Sequence, residues 1–396
     1  MSKSRTRAVN LLLLVASLLS CLVLAEILLR FFEPVEFRLR GNAIILHGNT
    51  STTIRNDTFG KLDATIVKTT NAIGFRGDDL PVAFDAFLTI VTVGGSTTEC
   101  FYLSDGSTWP EVLGKRLQQS FSNLWINNAG FDGHSTFGHA LLLQQYLSQL
   151  KPDVIVYMVG LNDTEIDARS VEAGNAYDHA LDAAASQERP ISFSDGLTAL
   201  WRGELTVYAA RYSHLVNFFL SVARSRKADS GSLGHSELDV ARLPVATEDT
   251  VAREAFFREH RERFLPLYRA RLEQLIDRTR EHGIMPVLVT QTALWTDGVD
   301  AATGLLLGDR QAGRFSAASM WKHLESYNDV TRSVGKERGV PVIDLAAEFP
   351  HSSVYFYDSY HFTAQGAAAV AEILNRELCP VLAAAFPEHV KGACPQ

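Results

Sequence analysis

Val154-Ile155-Val156-Tyr157-Met158-Val159 carries no charge and no turn residue. An unbroken apolar run of this length is the pattern of a strand buried on both faces of a parallel sheet. The same reading extends outward in both directions. Upstream, Leu88 to Val93 is a second β-rich apolar run and Leu124 to Asn127 a shorter one. Between them, Trp109 to Phe121 has helical spacing, with Ser107 or Thr108 as cap and Pro110 in the first turn. Thr136 to Leu150 is a further helix, with Ser135 at its start. Downstream come a long charged helix, Val251 to Glu281, and a strand, Ile284 to Thr290. The helix Ser316 to Arg338, the strand Val340 to Leu345 and a last helix from Thr363 through Leu378 complete the series.

Strands separated by helices imply a parallel sheet with right-handed crossovers. Five of them predict a three-layer α/β/α fold with a flavodoxin-like sheet in the order 2-1-3-4-5. Residues 164–250 interrupt the rhythm as a helical insertion. Its aromatic piece, Leu205 to Val222, reads as a packing helix, with a lid or membrane-facing element as the other reading. Ala228 to Glu248 is its most loop-like part.

Sites in doubly wound sheets form beyond the carboxyl ends of the strands. Each chemically suggestive stretch lies at such an end. Gly94-Gly95-Ser96 ends the first strand, and Asn128-Ala129-Gly130-Phe131-Asp132-Gly133 follows the second. Gly160-Leu161-Asn162-Asp163 ends the third, and Asp358-Ser359-Tyr360-His361 follows the last. Taken singly, each is ordinary turn chemistry. Together and in this order they fit acyl transfer. Ser96 needs a base, and His361 is the candidate. Asp358 is placed to orient His361, although a backbone carbonyl is an alternative partner. An oxyanion needs donors already in position, and the N–H groups of Ser96 and Gly133 and the amide of Asn162 are the candidates.

These blocks resemble the SGNH/GDSL hydrolase superfamily. That family's blocks are a Gly-Asp-Ser turn, a glycine after the second strand, a Gly-x-Asn-Asp and an Asp-x-x-His near the C-terminus. The resemblance runs from Phe87 to Leu378, broken by the insertion. It implies a serine esterase with Ser96 as nucleophile, Gly133 and Asn162 in the oxyanion hole, and Asp358 with His361 as the dyad. It implies no metal and no organic cofactor. Its substrates are acylated small molecules, lipids or glycans. One position departs from the family: Gly95 stands where Asp is usual. An O-acyltransferase with the same site differs only in its acceptor. A non-catalytic polysaccharide-binding protein is the reading from another class, and the complete set of site residues argues against it.

The chain has 396 residues, with 45 acidic and 37 basic side chains and a formal net charge of -8. Nothing in it forms a basic nucleic-acid footprint. Lys3, Arg5 and Arg7 precede an apolar stretch from Ala8 to Phe32, broken by Glu26 and Arg30. A membrane-spanning helix needs ~20 mostly apolar residues, and this stretch is long enough. The basic flank, residues 1–7, should stay cytoplasmic, which puts the rest of the chain on the periplasmic or extracellular side. A retained anchor over 8–32 is the leading reading, ahead of a cleaved signal peptide and of a lipoprotein at Cys21. The expected order is then a juxtamembrane segment (33–86), the hydrolase domain (87–386) and a tail (387–396). Cys379 and Cys394 flank that tail and can pair in an oxidising compartment. No oligomeric state follows from the sequence.

Overall fold

The computed structural model describes residues 3–32, 37–40, 43–165, 209–229 and 235–395. Most of the expected insertion, and parts of the juxtamembrane segment, therefore lie outside the described residues. The chain divides into two compact units, Met1–Ile45 with Val171–Gly234 and Leu46–Ser170 with His235–Gln396.

The larger unit is built on five parallel strands: β1 (Leu88–Gly94), β2 (Leu124–Asn128), β3 (Val154–Met158), β4 (Met285–Val289) and β5 (Val342–Ile343). They lie side by side as β2-β1-β3-β4-β5, the order expected from the sequence. Register runs Ile90 to Val154 between β1 and β3, and Val154 to Met285 between β3 and β4. The apolar runs explain the arrangement. Every residue of β1 and β3 is buried, and each fully buried Val, Leu or Ile contributes about 1.5–3 kcal/mol.

Helices cover both faces. Trp109–Leu117 packs against Ala364–Ala385, and Leu265–Glu281 packs against both Thr136–Leu142 and Ala317–Arg338. Their starts follow local chemistry. Thr108, Ser316 and Thr363 each accept a hydrogen bond from a backbone N–H in the first turn.

Several expectations are corrected in detail. The last helix does not stop at Leu378 but continues through Pro380 to Ala385. Its residues Cys379 and Leu382 are buried, so packing carries the helix past a residue that removes one ladder bond. Cys379 is joined to Cys394, with Cα atoms 5.6 Å apart. The helix beginning at Thr136 passes through a wider π turn at Leu143–Leu147, and the charged helix does so at His260–Phe264. Residues 228–229, expected in a loop, end the helix His214–Asp229. The segment before β1 contains a hairpin, Ser51–Arg55 with Thr65–Thr69.

The smaller unit contains the helix Lys3–Phe32 and the helix His214–Asp229, which pack together. Val9–Phe32 has a mean hydropathy of 2.7 in its most apolar stretch and is long enough to cross a membrane.

Candidate active site

The carboxyl ends of β1 and β3 and the loop before the last helix meet at one place. Ser96 opens a helical turn, Ser96–Glu99, directly after β1. Its own N–H therefore has no partner within that turn. The imidazole Nε2 of His361 lies 2.7 Å from Ser96 Oγ. The other ring nitrogen, Nδ1, is 2.6 Å from Asp358 Oδ2, so a carboxylate and not a backbone carbonyl faces it. The second oxygen of Asp358 accepts the N–H groups of Tyr360 and His361 at 2.9 and 2.8 Å. Ser96, Asp358 and His361 are all buried. One aspartate thus shapes the loop with one oxygen and holds the imidazole with the other.

Asn162 begins the turn after β3. Its Nδ2 donates to the carbonyl oxygen of His134 at 2.9 Å. The next residue, Asp163, accepts the Thr136 N–H at 3.1 Å and its hydroxyl at 2.6 Å. Arg271 reaches the same carboxylate at 3.1 Å. Burial raises the Asp163 pKa, against the opposing pull of Arg271 and of the Thr136 donors. Ser135 occupies the cap position but makes no side-chain cap bond; Asp163 supplies that acceptor from a different strand end.

Gly133 has a φ of +75°, with open space where a Cβ would stand. The left-handed turn itself calls for glycine there. Gly95 is different. A Cβ at this position would lie 2.2 Å from Asn162 Nδ2, so the absence of a side chain lets the asparagine amide approach the serine turn.

Two buttresses hold the serine turn. Arg76 donates to the carbonyl oxygens of Glu99 and Cys100 at 3.0 Å each and to that of Leu103 at 2.8 Å. Glu99 accepts the Asp132 N–H at 2.6 Å and pairs with Lys68 at 3.1 Å. Cys100 is no rival nucleophile, because burial pushes its thiol up to about 12.

His235 was not singled out in the sequence. Its ring centre lies 4.0 Å from that of His361, and its Nδ1 is 2.7 Å from the Tyr357 hydroxyl. Tyr102 packs edge-on against it, with ring centres 5.0 Å apart. It sits in the patternless stretch after residue 234, where no local signal marks it. Among the described residues, His235, Asp358 and His361 offer metal-ligand atoms within 4.8 Å of one another. Both His361 nitrogens already face Ser96 and Asp358, so a cation there would compete with that chain of contacts. Trp295 and Tyr360 are buried, and His134 stacks on Phe131 with ring centres 4.2 Å apart.

The arrangement can move a proton from a hydroxyl to an imidazole and hold the resulting imidazolium against a carboxylate. The GDSL-like lipase/acylhydrolase family model matches residues 92–229. The Asp358–His361 pair lies beyond that span. No curated protein matches the chain. Among solved structures, an acetyl xylan esterase is 13% identical, covering 72% of this chain and 97% of its own, with a TM-score of 0.38. The acetylxylan esterase of Geobacillus stearothermophilus is also 13% identical, over 73% and 93%, at 0.39. An alpha/beta hydrolase from the metagenome of Lake Arreo, Spain, is 16% identical over 73% and 94%, at 0.38. Superpositions this loose say nothing about substrate. The match over residues 92–229 and the five-stranded parallel sheet together mark a GDSL-like, or SGNH-type, ester hydrolase domain.

Proposed function

We propose that this enzyme hydrolyses an acylated carbohydrate or lipid through an acyl-enzyme on Ser96. His361 takes the Ser96 proton as the hydroxyl attacks the ester carbonyl, and later returns it to the departing alcohol. Asp358 holds His361 in the tautomer with Nε2 free to accept. The N–H groups of Ser96 and Gly133 and the Asn162 amide receive the oxyanion. Water, activated by the same imidazole, then releases the acid. The observation that carries this reading is the unbroken chain Ser96 Oγ–His361–Asp358, at 2.7 and 2.6 Å.

The proposal places the enzyme on a membrane, held by the helix over 8–32, with its hydrolase domain outside the cytoplasm. Two observations support that location: the apolar N-terminal helix and the Cys379–Cys394 disulfide, a bond that persists in oxidising compartments.

Purified enzyme should release acetate from p-nitrophenyl acetate and from acetylated oligosaccharides. His361→Ala should reduce turnover by at least about 10³-fold, the order of a lost general base. Adding an unacetylated glycan tests the alternative fate of the acyl group. Free acetate as the product supports hydrolysis; acetate moved to the added glycan would overturn it.

A further inference from the structure

The sequence from Ala8 to Ala25 has no charged residue and ends at Glu26, the one acidic residue of the helix Lys3–Phe32. A carboxylate at the edge of a spanning segment is costly unless it is partnered. Glu26 has four donors. Its Oε2 accepts the Ser213 hydroxyl at 2.8 Å and the Leu215 N–H at 2.9 Å. Its Oε1 accepts the His214 N–H at 3.0 Å and Arg30 Nε at 2.8 Å. The same arginine donates to the Tyr212 carbonyl oxygen at 2.6 Å.

His214 and Leu215 are the first residues of the helix His214–Asp229. Their N–H groups are among those a helix cannot satisfy internally. Glu26 therefore caps the second helix from the first, with its negative charge at the favourable end of the helix dipole. A further tie lies beside it: Asn217 Nδ2 donates to the Leu39 carbonyl oxygen at 3.0 Å. Ala25, Glu26 and Leu29 form the half-buried face of the first helix.

The second helix leaves large apolar groups uncovered. Phe219 is 63% exposed, and Tyr212, just before the helix, 58%. Leu215, Phe219 and Val222 follow the i, i+4, i+7 spacing of one helix face. Aromatic side chains at the level where a spanning helix leaves the hydrocarbon are characteristic of the headgroup region. The sequence then continues with Arg224, Arg226 and Lys227, charges suited to anionic headgroups.

We propose that His214–Asp229 is a second membrane element, lying in the headgroup region of the bilayer that Lys3–Phe32 crosses, and that Glu26 fastens the two. The proposal rests on reading Lys3–Phe32 as a retained span, and is independent of the reaction at Ser96. Removal of the N-terminal segment up to Glu26 would strip the second helix of its cap, so the anchor belongs to the folded unit.

The test uses the full chain with Cys21→Ser and Phe219→Cys, labelled at 219 with an environment-sensitive fluorophore. Cys100 is buried and the other two cysteines are joined. The protein is reconstituted into phosphatidylcholine–phosphatidylglycerol vesicles, with nitroxide lipids or aqueous iodide as quencher. Blue-shifted emission and at least about twofold stronger quenching by the lipid nitroxide are expected. Glu26→Ala should return the label to iodide, and Ser213→Ala, which leaves the span untouched, should do so in part. The intact mass of the membrane-extracted, unlabelled chain is measured in parallel. A chain beginning after Glu26 would overturn both the span and the docking. An intact chain whose label answers to iodide alone would overturn only the docking. Lipid quenching that survives Glu26→Ala would remove Glu26 from the role. Hydrolysis of p-nitrophenyl acetate by the same samples reports separately on Ser96.

Discussion

Asp163 accepts both the backbone N–H and the hydroxyl of Thr136, at 3.1 and 2.6 Å. Its neighbour Asn162 holds the carbonyl oxygen of His134. Two adjacent residues at the end of β3 thus grip both ends of the turn that carries Ser135. The loop after β2 and the turn after β3 are set relative to each other by this grip, and Gly133 lies in the first of them. Asp163→Ala would leave Arg271 with a largely buried charge and no carboxylate. A loss of about 3–5 kcal/mol is expected, read as a lower denaturant midpoint. Replacing both partners, Asp163→Leu with Arg271→Met, should recover much of the stability but not the turnover, because Thr136 stays unheld. Recovery of both would reduce Asp163 to a packing role.

Gly95 makes an unusual prediction. Restoring the family's common residue with Gly95→Asp should slow the enzyme. The new side chain would occupy the space held by the Asn162 amide, 2.2 Å from the Cβ position. Asn162→Ala should lower kcat by ~10²–10³ with little change in KM, as loss of one oxyanion donor does. Gly95→Asp in the Asn162→Ala background should then add little, since both changes act on one group. Fully additive losses in kcat would show that Gly95 acts elsewhere.

Asp358→Asn tests the orientation of His361. An amide at this position can present a donor to Nδ1 and favour the wrong tautomer. A fall in kcat on the order of 10⁴ is expected, with thermal stability changed far less. A fall below tenfold would mean that the loop, and not the carboxylate, orients the ring.

His139 predicts how the domain responds to acid. Burial lowers its pKa to about 3. The folded state therefore keeps the ring neutral, whereas the unfolded chain protonates near pH 6.5. Stability is fully present above that pH and is lost as pH falls from about 6.5 towards 3. At pH 5 this one ring costs about 2 kcal/mol. Urea midpoints at pH 7.5 and 5 should differ less in His139→Leu than in the parent. An unchanged difference would assign acid sensitivity to other groups, with His260 and His323, also lowered by burial, as the next candidates.

The sheet order was legible because β1, β3 and β4 are short apolar runs bounded by turn residues, a signal that depends only on local sequence. The strand-end positions of Ser96, Asn162 and the Asp358–His361 pair followed from that order. The hairpin strand Ser51–Arg55 escaped notice because it is largely exposed and carries little apolar alternation. His235 escaped because it reaches Tyr357 and His361 across more than a hundred residues from a stretch without pattern. Pro380 hid the true end of the last helix, since buried packing outweighs the residue's local preference. Glu26 read as an interruption of an apolar stretch, and its four donors lie in its own helix and in a distant segment.

The central claim is that Ser96 is the nucleophile which His361 activates. The most direct measurement is peptide mass spectrometry after treatment with a serine-directed phosphonate. The account predicts one adduct, on the peptide that contains Ser96, and none in Ser96→Ala. An adduct on another serine, or labelling that persists in Ser96→Ala, would contradict it.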